Sequence, residues 1–249
     1  MAVAQIIASV PAVFVVKIVV ISGEYTMAET IRLTNRNKSI RHLVKNDPRL
    51  KMLIDVIGTI QYKKQDDPYG FLIHEIIEQM LSVKAARKIH GRLLQLCSGN
   101  ISPEIITALN DDELKTIGTS IQKVRYIRNL TEAVMNGVVN FSALHDYTDE
   151  KVMKTLTAIP GIGNWTAKMI LIFVLDRQDV LPYEDGAFKQ SFKWLYNTDD
   201  ASKENITLKC SCWSPYASIA SRYLYRALDS GVTKTSLFKD KNRDLEADK

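Results

Sequence analysis

From about residue 38 the apolar positions recur at intervals of three and four, the period of a helix with one face on a core. "PYGFLIHEIIEQML" (68–81) carries Phe71, Leu72, Ile76, Ile77, Met80 and Leu81 at those intervals, which predicts a helix running to Leu81. Ser82 then reads as the N-cap of a second helix, "VKAARKIHGRLLQLC", because a serine oxygen accepts from an otherwise unpaired first-turn N–H. "SPEIITALN" (102–110) opens with Ser102 as a cap and Pro103 at the first helical position, and "DDELKTIG" ends at a glycine. In "SIQKVRYIRNLTEAVMNG" (120–137) the apolar residues at 121, 124, 127, 130 and 134 form a stripe that stops at Gly137. Thr148 is the expected cap of "TDEKVMKTLTAI". These elements predict an all-α body over residues 38–231, with no fixed-period repeat and no low-complexity linker inside it.

The ends break the pattern. "AVAQIIASVPAVFVVKIVVIS" is apolar but interrupted by Pro11 and Lys17, and its β-branched run favours strands over a membrane-spanning helix. No basic segment precedes it, so it does not read as a signal peptide. Residues 1–37 form an N-terminal extension. Its first 26 residues are either a mis-assigned start ahead of "MAETIRLTN" at Met27 or an accessory strand segment. Residues 232–249 are a charged tail expected to fray.

Charge and cysteine content narrow the class. A net charge of +5 mildly favours a polyanionic partner. Cys97, Cys210 and Cys212 are too few and too oddly spaced for a disulfide framework; they suit a reducing cytosol and cannot supply four thiolates to an iron–sulfur cluster. The Cys210/Cys212 spacing, with no histidine cluster nearby, is unlike a zinc site. His42, His74, His90 and His145 are scattered and are assigned no chemistry.

The chemistry concentrates at "AIPGIGNWTAK" (158–168). "KVMKTLTA" predicts a helix, "IPGIG" a tight turn, and "NWTAKMILIFVL" a second helix. Gly161 and Gly163 are expected to take backbone angles that other residues avoid, and to leave the backbone open to whatever approaches. The N–H groups opening the second helix suit an anion such as a DNA phosphate, with Lys168 assisting. The carbonyls of Thr157, Ile159 and Ile162 are placed to hold a monovalent cation. The same residues also fit an ordinary tight turn between packed helices, and a bare PGIG does not choose between the two.

The hairpin is not alone. With "EQMLSVKAA" (78–86) before it and "DRQDVLPYEDGAFKQSF" (176–192) and "WSPYASIASRYLYRALD" (213–229) after it, the chain shows a pattern that resembles the helix-hairpin-helix DNA glycosylase superfamily. Within it they are most similar to the alkylbase type, 3-methyladenine DNA glycosylase II. The four blocks match in order over roughly residues 40–230. The resemblance implies an all-α helix-hairpin-helix glycosylase fold with two helical subdomains flanking a cleft, a double-stranded DNA substrate and a cytoplasmic monomer with no membrane association.

The resemblance also assigns residues. Asp185, after Pro182 in a P-x-x-D context, is the expected catalytic carboxylate. A negative charge there stabilises the oxocarbenium-like sugar as the base leaves, and can orient a water. Glu184 is the rival, and either acid equally suits a helix N-terminus. Trp165 stands where relatives that also cut the backbone carry a Schiff-base lysine, which implies a monofunctional enzyme. Trp165 and Trp213, with Tyr216 and Tyr69, are the expected walls of a pocket for a cationic purine; helix packing is the alternative for each. Met169 departs from relatives that carry an aromatic there, which leaves base preference open. Met80, with Gln79 beside it, matches the wedge that fills the gap left by a flipped base, or else is a buried core residue. Lys84, Lys88 and Arg92 share a helix side, with Arg87 nearby; they touch phosphates or form a solvated face. Two functions follow: an excision enzyme for alkylated or otherwise damaged bases, such as deaminated purines, or a non-catalytic DNA-binding module in which Asp185 is idle.

Overall fold

Side-chain caps punctuate the chain as the serines and threonines predict. The computed structural model describes residues 30–235, so the first 29 residues, with the whole 1–26 segment, and the last fourteen lie outside the described residues. The elements run β1 (Thr30–Leu33), α1 (Lys38–Asn46), α2 (Pro48–Ile57), β2 (Ile60–Lys63), α3 (Pro68–Glu78), α4 (Val83–Leu96), α5 (Pro103–Ala108) and α6 (Asp111–Thr116). They continue with α7 (Ile121–Met135), α8 (Asp149–Thr157), α9 (Asn164–Met169), α10 (Gly186–Tyr196), α11 (Lys203–Cys210) and α12 (Ala217–Asp229). The hydroxyls of Ser82, Ser102 and Thr148 accept from Ala85, Ile105 and Lys151 N–H. Gly118 and Gly137 follow their helices at positive φ, which closes each helix end without a Cβ clash.

The chain divides into two units: residues up to Lys63 together with those from Gln178 on, and Lys64–Arg177. In the first, β1 and β2 pair antiparallel, Ile31 opposite Tyr62. This small sheet is an addition to a body that is otherwise helical, as the spacing from residue 38 predicts. Two four-residue strands are too short to show alternation against noise. The 3-10 turn Val232–Lys234 likewise carries the ordered chain past residue 231.

The core of the first unit brings together Leu50, Leu53, Ile54, Phe188, Phe192, Tyr223 and Leu224, from α2, α10 and α12. Each such side chain contributes about 1.5–3 kcal/mol on burial. One buried acid organises the polar part of this core. Asp47 caps α2 through Arg49 and Leu50 N–H, and accepts from Tyr196 Oη at 2.5 Å and Trp213 Nε1 at 2.7 Å. A buried carboxylate is tolerated when hydrogen bonds replace its water.

The second unit is wholly helical. α3 packs on α4, α7 and α9, and Leu72, Ile73, Ile76, Val124, Ile127 and Leu130 are buried. α9 runs on as one π-helical turn, Ile170–Val174. α3 stops at Glu78 rather than Leu81: Gln79 leaves helical angles and Met80 turns to φ +59°. The apolar spacing continued past the helix because Met80 and Leu81 are exposed, not core.

Between α3 and α4, His90 lies edge-on to His74 with ring centroids 4.8 Å apart. Burial, and then the neighbouring His74, push its pKa down from 6.5 to about 4. The unfolded chain therefore binds the extra proton between those values. Stability is full above pH 6.5, falls as pH drops through this window, and levels off below about 4, a loss of up to about 3 kcal/mol. Denaturant melts at pH 7.5 and 4.5 should show His90→Gln flattening this pH slope; an unchanged slope would place the titration elsewhere.

Candidate DNA-binding hairpin and carboxylate site

The hairpin is built from residues that no other side chain could replace at one position. Gly161 sits at φ +105°, and a Cβ there would lie 2.3–2.6 Å from Tyr126 atoms. Gly163 is different: its φ of −93° is ordinary, and a Cβ would meet nothing within 4 Å. The expectation that both glycines need special angles therefore holds for Gly161 alone. Gly163 is the N-cap of α9 and supplies no side chain to that first turn, so the space above the turn is open to a ligand.

The turn is pinned by side chains from α3 and α7. Gln79 Nε2 donates to the Gly161 carbonyl at 3.0 Å and approaches Thr166 Oγ1 at 3.5 Å. Asn129 Nδ2 donates to the Pro160 carbonyl at 3.1 Å. Lys123 Nζ donates to the carbonyls of Ile77 at 2.7 Å and Gln79 at 2.6 Å, where α3 ends, and desolvation pushes its pKa below the usual lysine value. Lys123, Tyr126 and Asn129 follow at intervals of three on α7, so they lie along one side of that helix. Sequence reading missed all three. The signal was there as a polar row flanking the apolar stripe, but its partners are distant in sequence.

Met80 is fully exposed, at 101% relative accessibility, which excludes the buried-core alternative. Trp165 is half-buried on the first turn of α9. Lys84, Arg87 and Lys88 are exposed, whereas Arg92, also exposed, donates from Nη1 to the Ile117 carbonyl at 3.1 Å. One assignment on this unit changes. Tyr69 is 4% exposed with its hydroxyl 2.8 Å from Thr131 Oγ1, so it is core rather than a pocket wall. Lys168 is buried on α9, with 9% of the residue exposed. Met169 is buried as well and presents no open face.

In the first unit, Asp185 is the N-cap of α10. Its Oδ1 accepts from Phe188 N–H at 2.6 Å and its own N–H donates to the Pro182 carbonyl at 2.9 Å. That second bond gives the P-x-x-D spacing a physical cause: it closes the turn that delivers the carboxylate. Asp185 is only 8% exposed, while Glu184 is half-buried and is not the cap. Tyr216 is partly exposed at the start of α12, with the His42 ring edge-on at 5.4 Å and His42 Nε2 3.3 Å from the Cys212 carbonyl. His42 thus packs against Tyr216, a contact the sequence did not reveal. Trp213 is corrected: it is 0% exposed, bonded to Asp47 and packed edge-on against Phe188 at 6.3 Å. An indole with both faces in the core cannot stack on a ligand.

Comparison with known proteins shows the family and the fold. The chain is 27% identical over 201 residues to DNA-3-methyladenine glycosylase 1 of Schizosaccharomyces pombe, covering 78% of this chain and 88% of that protein. The solved DNA-3-methyladenine glycosidase of Bacillus halodurans superimposes with a TM-score of 0.72 at 33% identity, over 87% of this chain and 97% of that one. The S. pombe 3-methyladenine DNA glycosylase Mag1, solved in complex with abasic DNA, gives 0.73 at 26% identity, over 81% and 99%. Residues 73–215, which include Met80, the hairpin and Asp185, match the HhH-GPD family, and with that match over more than half its length the chain belongs to the HhH-GPD superfamily of base excision DNA repair proteins.

Proposed function

We propose that the protein is a monofunctional DNA glycosylase that hydrolyses the N-glycosidic bond of alkylated bases, of the 3-methyladenine type, in flipped-out nucleotides of duplex DNA. The observation that carries this reading is Asp185: a buried carboxylate held by the first turn of α10, in the segment that matches the HhH-GPD family, in a chain similar to proteins named as 3-methyladenine glycosylases. Its negative charge stabilises the positive sugar that appears as the base departs, and the carboxylate orients the attacking water. Trp165 and Tyr216, each within its own unit, are aromatic side chains of the kind that stacks on a cationic purine, an interaction worth up to about 2 kcal/mol when desolvated. Met80 fills the space the base vacates. No helix among the described residues is long and apolar enough to cross a membrane.

The hairpin grips the phosphate backbone through the open turn at Gly163. A monovalent cation held there would offset phosphate charge. The carbonyls of Pro160 and Gly161 accept from Asn129 and Gln79, which leaves those of Thr157, Ile159 and Ile162 for the cation; Ile159 also accepts from Ile162 N–H at 3.0 Å and keeps a second lone pair.

Position 165 holds tryptophan, not an amine, so the sugar forms no Schiff base with it. With methylated duplex DNA the protein should release free methylated purine and leave abasic strands intact until alkali treatment. Borohydride should trap no protein–DNA adduct. A trapped adduct would overturn the monofunctional assignment. Release from a hypoxanthine duplex alone would change the lesion, and release from neither would leave a binding module.

A further inference from the structure

Met80 combines a fully exposed side chain with a left-handed backbone, φ +59°. For a residue other than glycine that conformation costs roughly 1–2 kcal/mol and persists only where its surroundings impose it. The surroundings here are specific. α3 ends with carbonyls that have no partner inside the helix. Lys123 Nζ takes two of them, Ile77 and Gln79, at 2.7 and 2.6 Å. Its charge also suits the negative end of the helix dipole. Gln79, whose carbonyl Lys123 holds, sends its side chain to Gly161 in the hairpin. On the same side of α7, Tyr126 fills the space beneath Gly161 and Asn129 holds Pro160. One helix face therefore carries both the exposed thioether and the turn behind it, at a fixed separation.

We propose that the Lys123–Tyr126–Asn129 face of α7 is a positioning device for lesion extrusion, and that Lys123 makes Met80 rigid enough to be driven into the base stack. This rests on the glycosylase reading above and extends it from the site to its support. Lys123 touches no reacting atom and is a positioning residue. Without its ammonium the two carbonyls turn to water, Met80 relaxes toward ordinary angles, and insertion has to order the loop as well as part the bases.

The test compares Lys123→Met and Lys123→Arg with wild type, at a temperature where circular dichroism shows all three folded. Single-turnover excision is measured on a duplex with one alkylated purine opposite thymine, and on the same lesion opposite an abasic analogue, where little pairing resists extrusion. K123M should lose about tenfold or more on the paired duplex and much less on the unpaired one, and K123R should restore most of the loss. Equal losses on both substrates, or none on either, would overturn the proposal. A second arm reads insertion without chemistry, from the fluorescence of 2-aminopurine beside an abasic analogue. If wild type releases no base, the glycosylase reading fails, and this arm still decides the device. A signal weakened in K123M and recovered in K123R supports it; equal signals refute it.

Discussion

Asp185→Asn should abolish base release while leaving the fold and DNA binding in place. The amide keeps an oxygen to accept from Phe188 N–H, so the cap of α10 survives. What is lost is the negative charge proposed to stabilise the sugar. Removing one preorganised electrostatic group of this kind costs at least about a hundredfold in rate. Release of methylated purines from treated DNA, scored beside thermal melting and binding to an abasic duplex, separates the possibilities. Wild-type release would show that Asp185 does no chemistry. A loss of release that tracks a collapse in melting temperature would reduce it to a helix cap. Asp185→Ala is the informative companion, because it removes cap and charge together and should add about 1 kcal/mol of destabilisation.

Gly161→Ala should be the most damaging single-methyl change in the hairpin. It puts a Cβ 2.3–2.6 Å from Tyr126 while holding φ at +105°. Overpacking and backbone strain together amount to roughly 2–5 kcal/mol, a fall in melting temperature of about 5–15 °C. DNA affinity should fall with it, since the turn cannot keep its shape. Gly163→Ala makes the contrast: ordinary φ and open space leave stability nearly unchanged, so its effect should be confined to DNA affinity. If the two variants melted alike, the different roles assigned to the two glycines would be wrong.

These paired outcomes follow from where the chain could be read locally and where it could not. Helix starts were legible at Ser82, Ser102 and Thr148 because a cap is a bond to a residue three positions on. Asp185 was legible for the same reason, with a resemblance to choose it over Glu184. Residues whose role depends on a distant partner were not. Trp213 looked like a pocket aromatic because nothing near it in sequence announces Asp47, its partner 166 residues earlier. Tyr69 was misread in the same way, through Thr131. Met80 extended the apolar spacing of α3, but the helix ends two residues before it, where the distant Lys123 takes the Gln79 carbonyl.

The chain order of the two units has a consequence for synthesis. Lys64–Arg177 is contiguous, whereas the other unit needs both the segment before Lys63 and everything from Gln178 to the end of α12. Domains generally fold as units during translation, the earlier-made first. On the ribosome the hairpin and wedge are therefore complete while the half carrying Asp185 still awaits its own α10 and α12. A nascent chain interrupted near residue 177 would hold the elements assigned to gripping DNA without the carboxylate assigned to cutting the base free.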